Sequence, residues 1–434
     1  MKKLDIIIIN NSTSEIEDNF ELIKSRLNTK LKIIINIYKL DNYELFSLIS
    51  KLENVLKIYE NISIVNIIFV NLIEIEYNKI LSKLNNIFYK INRTKKINIY
   101  NLESKKNQSL NNNDKSKSLM NELFLYKDIS MDPNKTPDTY LKYIISRIPK
   151  YYTYKLFNIN ENQNLFPLTW AVGKGSTYNS YFIHIYPKNI MENKKTIYCI
   201  GKAITYDSGG LNLKSRHMEE MKTDMIGSAI LISVINLIIE NENNIHLLIP
   251  IAENMIGPNA TKPGTVAKAY NGKTVEIINT DAEGRLCIVD AFNYCQSKNE
   301  KCDLILDIAT LTGNVEQITG NISSICTSNK LGYKYALKLM EIGDEIGEYI
   351  DYLKLRKEYQ LILKSEVADI KSMNDNYKYG CMQASAFLNY FVNDKIPWIH
   401  IDIASCVFKN DRVLSYGINL LYELLKNEIK IIYR

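Results

Sequence analysis

The sequence has no Cys-x-x-Cys pair, no His-Glu-x-x-His, no dense lysine and arginine block and no apolar run long enough to span a bilayer. Each absence removes a class of protein. The seven cysteines (Cys199, Cys287, Cys295, Cys302, Cys326, Cys381 and Cys406) are scattered and odd in number. They exclude a disulfide scaffold and suit a reducing compartment. The four histidines, His184, His217, His246 and His400, have no ligand spacing, so each reads as structural. The apolar stretch at 226–240 contains Ser and Asn. It falls short of the roughly 20 residues a membrane span needs and reads as a buried helix. The opening apolar run is too short for a signal peptide core. A cytoplasmic protein with no membrane contact is the expectation. A net charge of +6 is weak on a chain of 434 residues, and aromatics do not interleave with the basic residues. That argues against nucleic acid as a partner. "VGKGS" (172–176) lacks the Walker spacing and reads as a tight turn. Glycine and proline are scarce, at 17 and 9 residues, and nothing functional follows from that.

What is present is α/β patterning. The length exceeds one ordinary core, so two domains are expected. A hydrophobic fraction of 46% supports globular packing. In the first hundred residues, apolar runs such as "LDIIIIN", "KIIINIYKL", "VNIIFVNL" and "KINIYNL" alternate with helically spaced stretches, "EDNFELIKSRL" and "YNKILSKLNNIFYKI". This is the pattern of βαβ units. The polar stretch 101–118, "NLESKKNQSLNNNDKSKS", reads as a linker or exposed loop. A helix, a Pro-punctuated turn and a second helix follow. Strands and helices then alternate again, with strands apolar enough to be buried on both faces. The predicted architecture is two α/β domains. A smaller N-terminal one spans 1–104, linker and connecting helices span 105–150, and a larger domain spans 151–434. The larger domain carries a mixed, mostly parallel sheet flanked by helices.

Charge gathers where its strands end. "GKAITYDSGG" supplies Lys202 and Asp207, "LNLKS" supplies Lys214, and "MKTDM" supplies Asp224. "VEIINTDAEGRLCIVDAF" (275–292) passes from strand to helix and sets Asp281, Glu283 and Arg285 at the junction. Ligands of open α/β sheets bind at such strand ends. Four carboxylates in one pocket cannot all stay ionised without cations. Two divalent ions would neutralise them, and oxygen-rich ligand sets suit Mg2+, Mn2+ or Zn2+. Asp281 and Glu283, at i and i+2, would face one side of extended backbone. Two ions about 3.5–4 Å apart make a hydrolytic site. Taken alone, Asp224 reads as a helix N-cap and Lys202 as an edge-strand charge. The case rests on the whole set.

These segments, with "LNLK", "IAENMIGPNATKPGTV", "KTVEIINTDAEGRL" and "DIATLTG", resemble the leucyl aminopeptidase (cytosol aminopeptidase) family. The octapeptide "NTDAEGRL" is that family's signature. The resemblance runs from about Leu119 to the C-terminus and includes "AFLNYFV" and "WIHIDIAS". It implies a catalytic metallopeptidase domain over 151–434 and a cytoplasmic homohexamer acting on short peptides. It also implies removal of neutral or hydrophobic first residues such as Leu. Lys202, Asp207, Asp224 and Glu283 would hold a tight metal, and Asp207, Asp281 and Glu283 an exchangeable one. The ions would be Zn2+ or Mn2+, with Mg2+ or Co2+ as options in the exchangeable site. Lys214 would act as electrophile, and Arg285 would hold a bicarbonate that serves as base. Leu286, Thr310, Leu311 and Gly313 would line the cleft. Met221, Ala404 and Val407 would surround the first side chain. Ala203 and Ile226 replace usual glycines, and "KYGCMQASAF" (378–387) replaces a Thr/Ala-rich run. These departures bear on pocket shape, not on ligands. Rival readings are a Cys-Gly type dipeptidase and a DNA-binding architectural role, the latter opposed by the missing basic block.

Overall fold

The computed structural model describes residues 114–426 apart from 239–242, 299 and 410–411, together with five strands nearer the N-terminus. By its internal contacts the chain divides into two compact units, Met1–Leu125 and Tyr126–Arg434.

In the first unit, strands β1 (Lys3–Asn10), β2 (Phe20–Lys24), β3 (Lys30–Ile37), β4 (Ile64–Val70) and β5 (Lys96–Leu102) form one sheet in the order β2-β3-β1-β4-β5. It is parallel except for β2, which pairs antiparallel with β3. The four expected apolar strands are there. The helix expected over "EDNFELIKSRL" is not, because Phe20–Lys24 is strand. Phe20 and Leu22 lie opposite Ile35 and Ile33, and that alternation satisfies a strand as well as the helical spacing did. The helix expected over "YNKILSKLNNIFYKI" lies outside the described residues.

A helix then begins at Asp114, inside the stretch read as polar linker, and runs to Met131. The next helix, Pro137–Ser146, starts with a capping box. The Thr136 side chain accepts from Thr139 N, and the Thr139 hydroxyl accepts from Thr136 N. This Ser/Thr exchange satisfies two of the helix's orphan amides, and Pro137 sits where its missing N–H costs nothing.

The second unit is built on a nine-stranded sheet. Its strands are β6 (Tyr152–Asn158), β7 (Tyr181–Pro187), β8 (Thr196–Gly201), β9 (Ala203–Asp207), β10 (Asn244–Asn254), β13 (Leu304–Ala309), β14 (Ser324–Ser328), β15 (Ile350–Tyr352) and β17 (Trp398–Asp402). The order is β15-β14-β17-β13-β8-β10-β7-β6, with β9 also on β10. The central pairs β17-β13, β13-β8, β8-β10 and β9-β10 are parallel. The pairs β14-β17, β10-β7 and β6-β7 are antiparallel. Every residue of β8, β13 and β17 is buried, because helices cover both faces as parallel sheets require. One face packs on helix Gly284–Gln296 through a core of Phe166, Phe182, Phe292, Phe387 and Trp398. Helix Ile226–Leu237 is buried over most of its length, as read from its largely apolar stretch. Among the described residues no helix is long and apolar enough to cross a membrane.

The strand of the signature segment departs from expectation. Strand β12 (Thr274–Ile277) leaves the main sheet and joins a three-stranded one with β11 (Thr265–Lys268) and β16 (Ile370–Lys371). The signature loop therefore reaches the ends of the central strands from beside the sheet, and helix Gly284–Gln296 brings it back over the core.

Candidate functional site

The carboxyl ends of β8, β9, β10, β13 and β17 face one way, and the charged residues collect there. Lys202 sits at the break between β8 and β9, where its backbone joins two other elements. Its N–H donates to Ile308 O, and its carbonyl accepts from Ser228 N. It is 2% exposed, so the edge-strand reading does not hold. Asp207 ends β9. Asp224 caps the C-terminus of a 3-10 helix, Met218–Thr223. It is not an N-cap, since the following helix has no side-chain cap. Asp281 and Glu283 lie in the turn after β12. That turn is not the extended backbone expected: Asn279 Oδ1 accepts from Asp281 N, Ala282 N donates to Asn279 O, and Glu283 is helical at φ −74°. An Asn with a local acceptor favours such a turn over a strand.

Two ammonium groups thread the four acids. Lys202 Nζ lies 2.8 Å from both Asp224 Oδ1 and Glu283 Oε1, and donates to Thr310 O at 2.8 Å. Lys214 Nζ lies 2.7 Å from Asp207 Oδ2 and also meets Asp281 Oδ1. Gly284 makes room for this. A Cβ there would stand 2.6 Å from Lys202 Cε. Ligand atoms of Asp207, Asp224 and Glu283 all fall within 4.8 Å of one another. Side-chain exposure separates the groups. Lys202 and Glu283 are at 3%, while Lys214 is at 18% and Asp281 at 35%.

The electrostatics show more negative charge than two lysines neutralise. Burial raises the Asp207 carboxyl, and Glu283 and Asp224 raise it further against Lys214. Burial raises Asp224 to about 7 against the pull of Lys202. Asp281 is raised by burial and Glu283. Glu283 goes the other way: burial opposes ionisation, but Lys202 and Lys214 outweigh it. Burial lowers both lysines, yet the surrounding carboxylates hold them above the ordinary lysine range. Two buried oxygens, Asp224 Oδ2 and Glu283 Oε2, have no hydrogen-bond partner. Unpaired buried acceptors are costly, and a cation between them would satisfy both. The donor set is oxygen-rich and fits a divalent ion.

Arg285, the second residue of helix Gly284–Gln296, is 4% exposed. Its Nη1 donates to Ser372 O at 2.8 Å, while its buried Nε has no partner. Burial lowers the guanidinium to about 10, with Glu283, Asp402 and Asp281 opposing. An unpaired cationic N–H at this depth fits a small anion.

Of the residues expected to hold substrate, Thr310, Leu311 and Gly313 form the loop after β13, and Ala404 and Val407 follow β17. Met221 lies on the 3-10 helix. Leu286 is buried on the helix Gly284–Gln296. Thr310 also donates its hydroxyl to Asp224 Oδ1 at 2.8 Å, a contact its sequence role did not suggest.

Several contributors were not singled out in the sequence. Asn254 Nδ2 donates to Asp207 Oδ1 at 2.7 Å and Thr280 O at 3.0 Å, fixing the acid's orientation. Asp402 Oδ1 accepts from Leu311 N at 3.1 Å and Ala404 N at 3.3 Å, which holds both cleft segments. Their segments, "IAENMIG" and "WIHIDIAS", were visible, but a carboxylate bound to amides has no pattern of its own. The histidines stay outside the site. His184 and His246 bond each other at 3.0 Å, and His400 Nδ1 bonds Asp307 Oδ1 at 2.5 Å. His217 is on the surface with Glu219 and Glu220, close enough together to share a cation.

Comparison with known proteins gives a consistent picture. The family described as "Cytosol aminopeptidase family, catalytic domain" matches residues 127–421. A "Probable cytosol aminopeptidase" of Prochlorococcus marinus subsp. pastoris is 39% identical over 271 residues, 59% of this chain and 54% of that one. A protein of the same description from Rickettsia peacockii is 32% identical over 326 residues, 71% of this chain and 64% of that one. The matched part thus spans between half and two thirds of these relatives. A solved structure of Caenorhabditis elegans leucine aminopeptidase superposes with a TM-score of 0.84, covering 99% of this chain and 96% of that one at 21% identity. It bears on the fold alone.

Proposed function

Because the chain belongs to the cytosol aminopeptidase family, we propose that it is a metal-dependent aminopeptidase releasing neutral or hydrophobic residues from the N-termini of short peptides. The observation that carries this is the convergence of Asp207, Asp224 and Glu283 on one point with two of their buried oxygens unpaired. Lys202, Asp207, Asp224 and Glu283 would hold the tighter divalent ion, and Asp207, Asp281 and Glu283 the exchangeable one. Zn2+ and Mn2+ fit both, with Mg2+ or Co2+ further options in the second. The greater exposure of Asp281 supports its place in the exchangeable set. When bound, such ions polarise a scissile carbonyl and lower the pKa of water.

The chain's own groups supply the rest. Lys202 must surrender its proton to serve as a ligand, so metal loading releases protons. Lys214 is the more accessible of the two ammonium groups. It donates to the substrate carbonyl oxygen as negative charge develops there. Arg285, through its free Nε, would hold a bicarbonate, and such an anion would supply a general base there. The loop Thr310–Gly313, fixed by Asp402, offers backbone to the peptide. Exposed apolar side chains such as Ile322 and Val367 suit burial against further copies, as a homohexamer would require.

Met221, Ala404 and Val407, the residues read as surrounding the first side chain, carry no charge. A buried Leu or Met side chain gains roughly 1.5–3 kcal/mol there, whereas an unpaired Asp or Lys costs several kcal/mol. Flexible Met221 tolerates several shapes. A panel of free and N-acetylated peptides differing only in the first residue tests this. Leu and Met should be released well, Asp and Glu poorly, and acetylated peptides should resist. Comparable cleavage of acetylated or internal bonds would make the protein an endopeptidase. Activity confined to dipeptides would make it a dipeptidase.

A further inference from the structure

Lys135 is 4% exposed, yet its ammonium meets backbone rather than an acid. Nζ donates to Lys222 O at 2.7 Å, Ile129 O at 3.2 Å and Asp132 O at 3.4 Å. Three carbonyls thus converge on three N–H bonds, the full donor capacity of an ammonium. Ile129 lies in the last turn of helix Asp114–Met131 and Asp132 just past it, where unpaired carbonyls and the helix dipole favour a cation. The third belongs to the 3-10 helix Met218–Thr223. Burial brings the ammonium down to about 8, partly offset by Asp132 and reinforced by Lys222. A neutral residue in this place would leave three carbonyl oxygens facing one another.

What the third carbonyl belongs to gives the cage a functional meaning. Lys222 stands between Met221 and Asp224 in the chain. On its other side the same turn is fixed by Ile204 N donating to Asp224 O at 3.3 Å. Just beyond it, Tyr140 Oη bonds Ser228 Oγ at 2.7 Å. The turn bearing one proposed metal ligand and one proposed pocket residue is therefore held between β9 and Lys135.

We infer that Lys135 is a positioning residue for the metal site: its ammonium acts as a built-in monovalent cation, gathering the carbonyls of Ile129, Asp132 and Lys222 so that Asp224 is presented in one arrangement. The inference rests on the reading of Asp224 as a metal ligand. Groups that orient metal ligands typically contribute 10–100-fold in metal affinity or activity.

The test compares the full chain with Lys135→Met and Lys135→Ala, measuring Mn2+ affinity by competition with a chelator, with circular dichroism and thermal unfolding alongside. Both variants should bind Mn2+ at least about tenfold more weakly. Ammonium or potassium chloride should restore much of the affinity in Lys135→Ala, where the cage is open. It should not do so in Lys135→Met, where the side chain fills it, and sodium-free parent protein should be indifferent to either salt. A folded variant with parental affinity overturns the inference, as does a Lys135→Ala loss that neither cation reverses. Should Lys135→Met not fold, Lys135→Gln keeps two donors without the charge. Weakened binding there supports the role of the charge, and parental binding overturns it. A parent that binds no divalent ion overturns instead the reading of the site itself.

Discussion

Replacing Glu283 with alanine should abolish peptidase activity and remove bound metal. Glu283 is 2% exposed and sits 2.8 Å from the Lys202 ammonium. Its second oxygen has no partner, and it belongs to the one fully buried acidic trio among the described residues. In the proposed site it serves both ions, so its loss disturbs each. Metal polarisation of the reacting carbonyl is worth several kcal/mol, and each 1.36 kcal/mol is tenfold in rate. A fall of at least about 10³ in kcat follows. Removing one partner of a buried pair also destabilises, by up to about 3–5 kcal/mol. Here Lys202 keeps Asp224 and Thr310 O, so the variant should still fold. Glu283→Gln, which retains an acceptor for Lys202, controls for stability. Elemental analysis, kinetics and thermal unfolding of both variants make the check. Parental kcat and metal content in a folded Glu283→Ala would remove this residue from the site.

Lys214→Ala should lower kcat by about 10²–10³, the usual cost of one donor at a developing oxyanion. Because the contact strengthens in the transition state, KM should change much less. The structure adds a second expectation that separates this role from a structural one. Lys214 is ion-paired with Asp207 and Asp281, so its removal leaves those carboxylates with less positive charge nearby. Divalent ions should then bind as tightly as in the parent or more tightly, while turnover falls. Steady-state kinetics beside a metal titration reads both. A change in KM alone, or a loss of metal together with activity, would contradict the assignment.

The parts of this molecule that were legible in its sequence share a physical character. Strands β8, β13 and β17 are mostly apolar, with both faces covered, and a short run of that kind has few alternatives. The strand at Phe20–Lys24 was not legible, since five residues with Phe20, Leu22 and Ile23 as their apolar positions fit helix and strand alike until a neighbour supplies the ladder. Nor was the departure of β12 into its own small sheet, because its partner β16 is two residues long, at Ile370–Lys371, and far along the chain. In the site, residue types announced themselves. Four acids, two lysines and an arginine at strand ends have few uses other than holding cations and anions. Their backbone did not, as the turned conformation of 281–283 depends on Asn279 bonding locally. Lys135, Asn254 and Asp402 were silent for a different reason. Lys135 and Asp402 work through backbone carbonyls and amides, which every residue possesses, and Asn254 divides its bonds between such a carbonyl and Asp207, so no spacing of side chains marks them.

The central claim is that hydrolysis at this site depends on divalent ions held by Asp207, Asp224, Asp281 and Glu283. The most direct measurement is the metal content of the purified protein and its rate of Leu-amide hydrolysis, in one preparation, before and after exhaustive chelation. Two divalent ions per chain are expected at full activity, with activity lost on chelation and regained with Mn2+, Co2+ or Zn2+. Undiminished hydrolysis by protein verified to be free of metal would contradict the account.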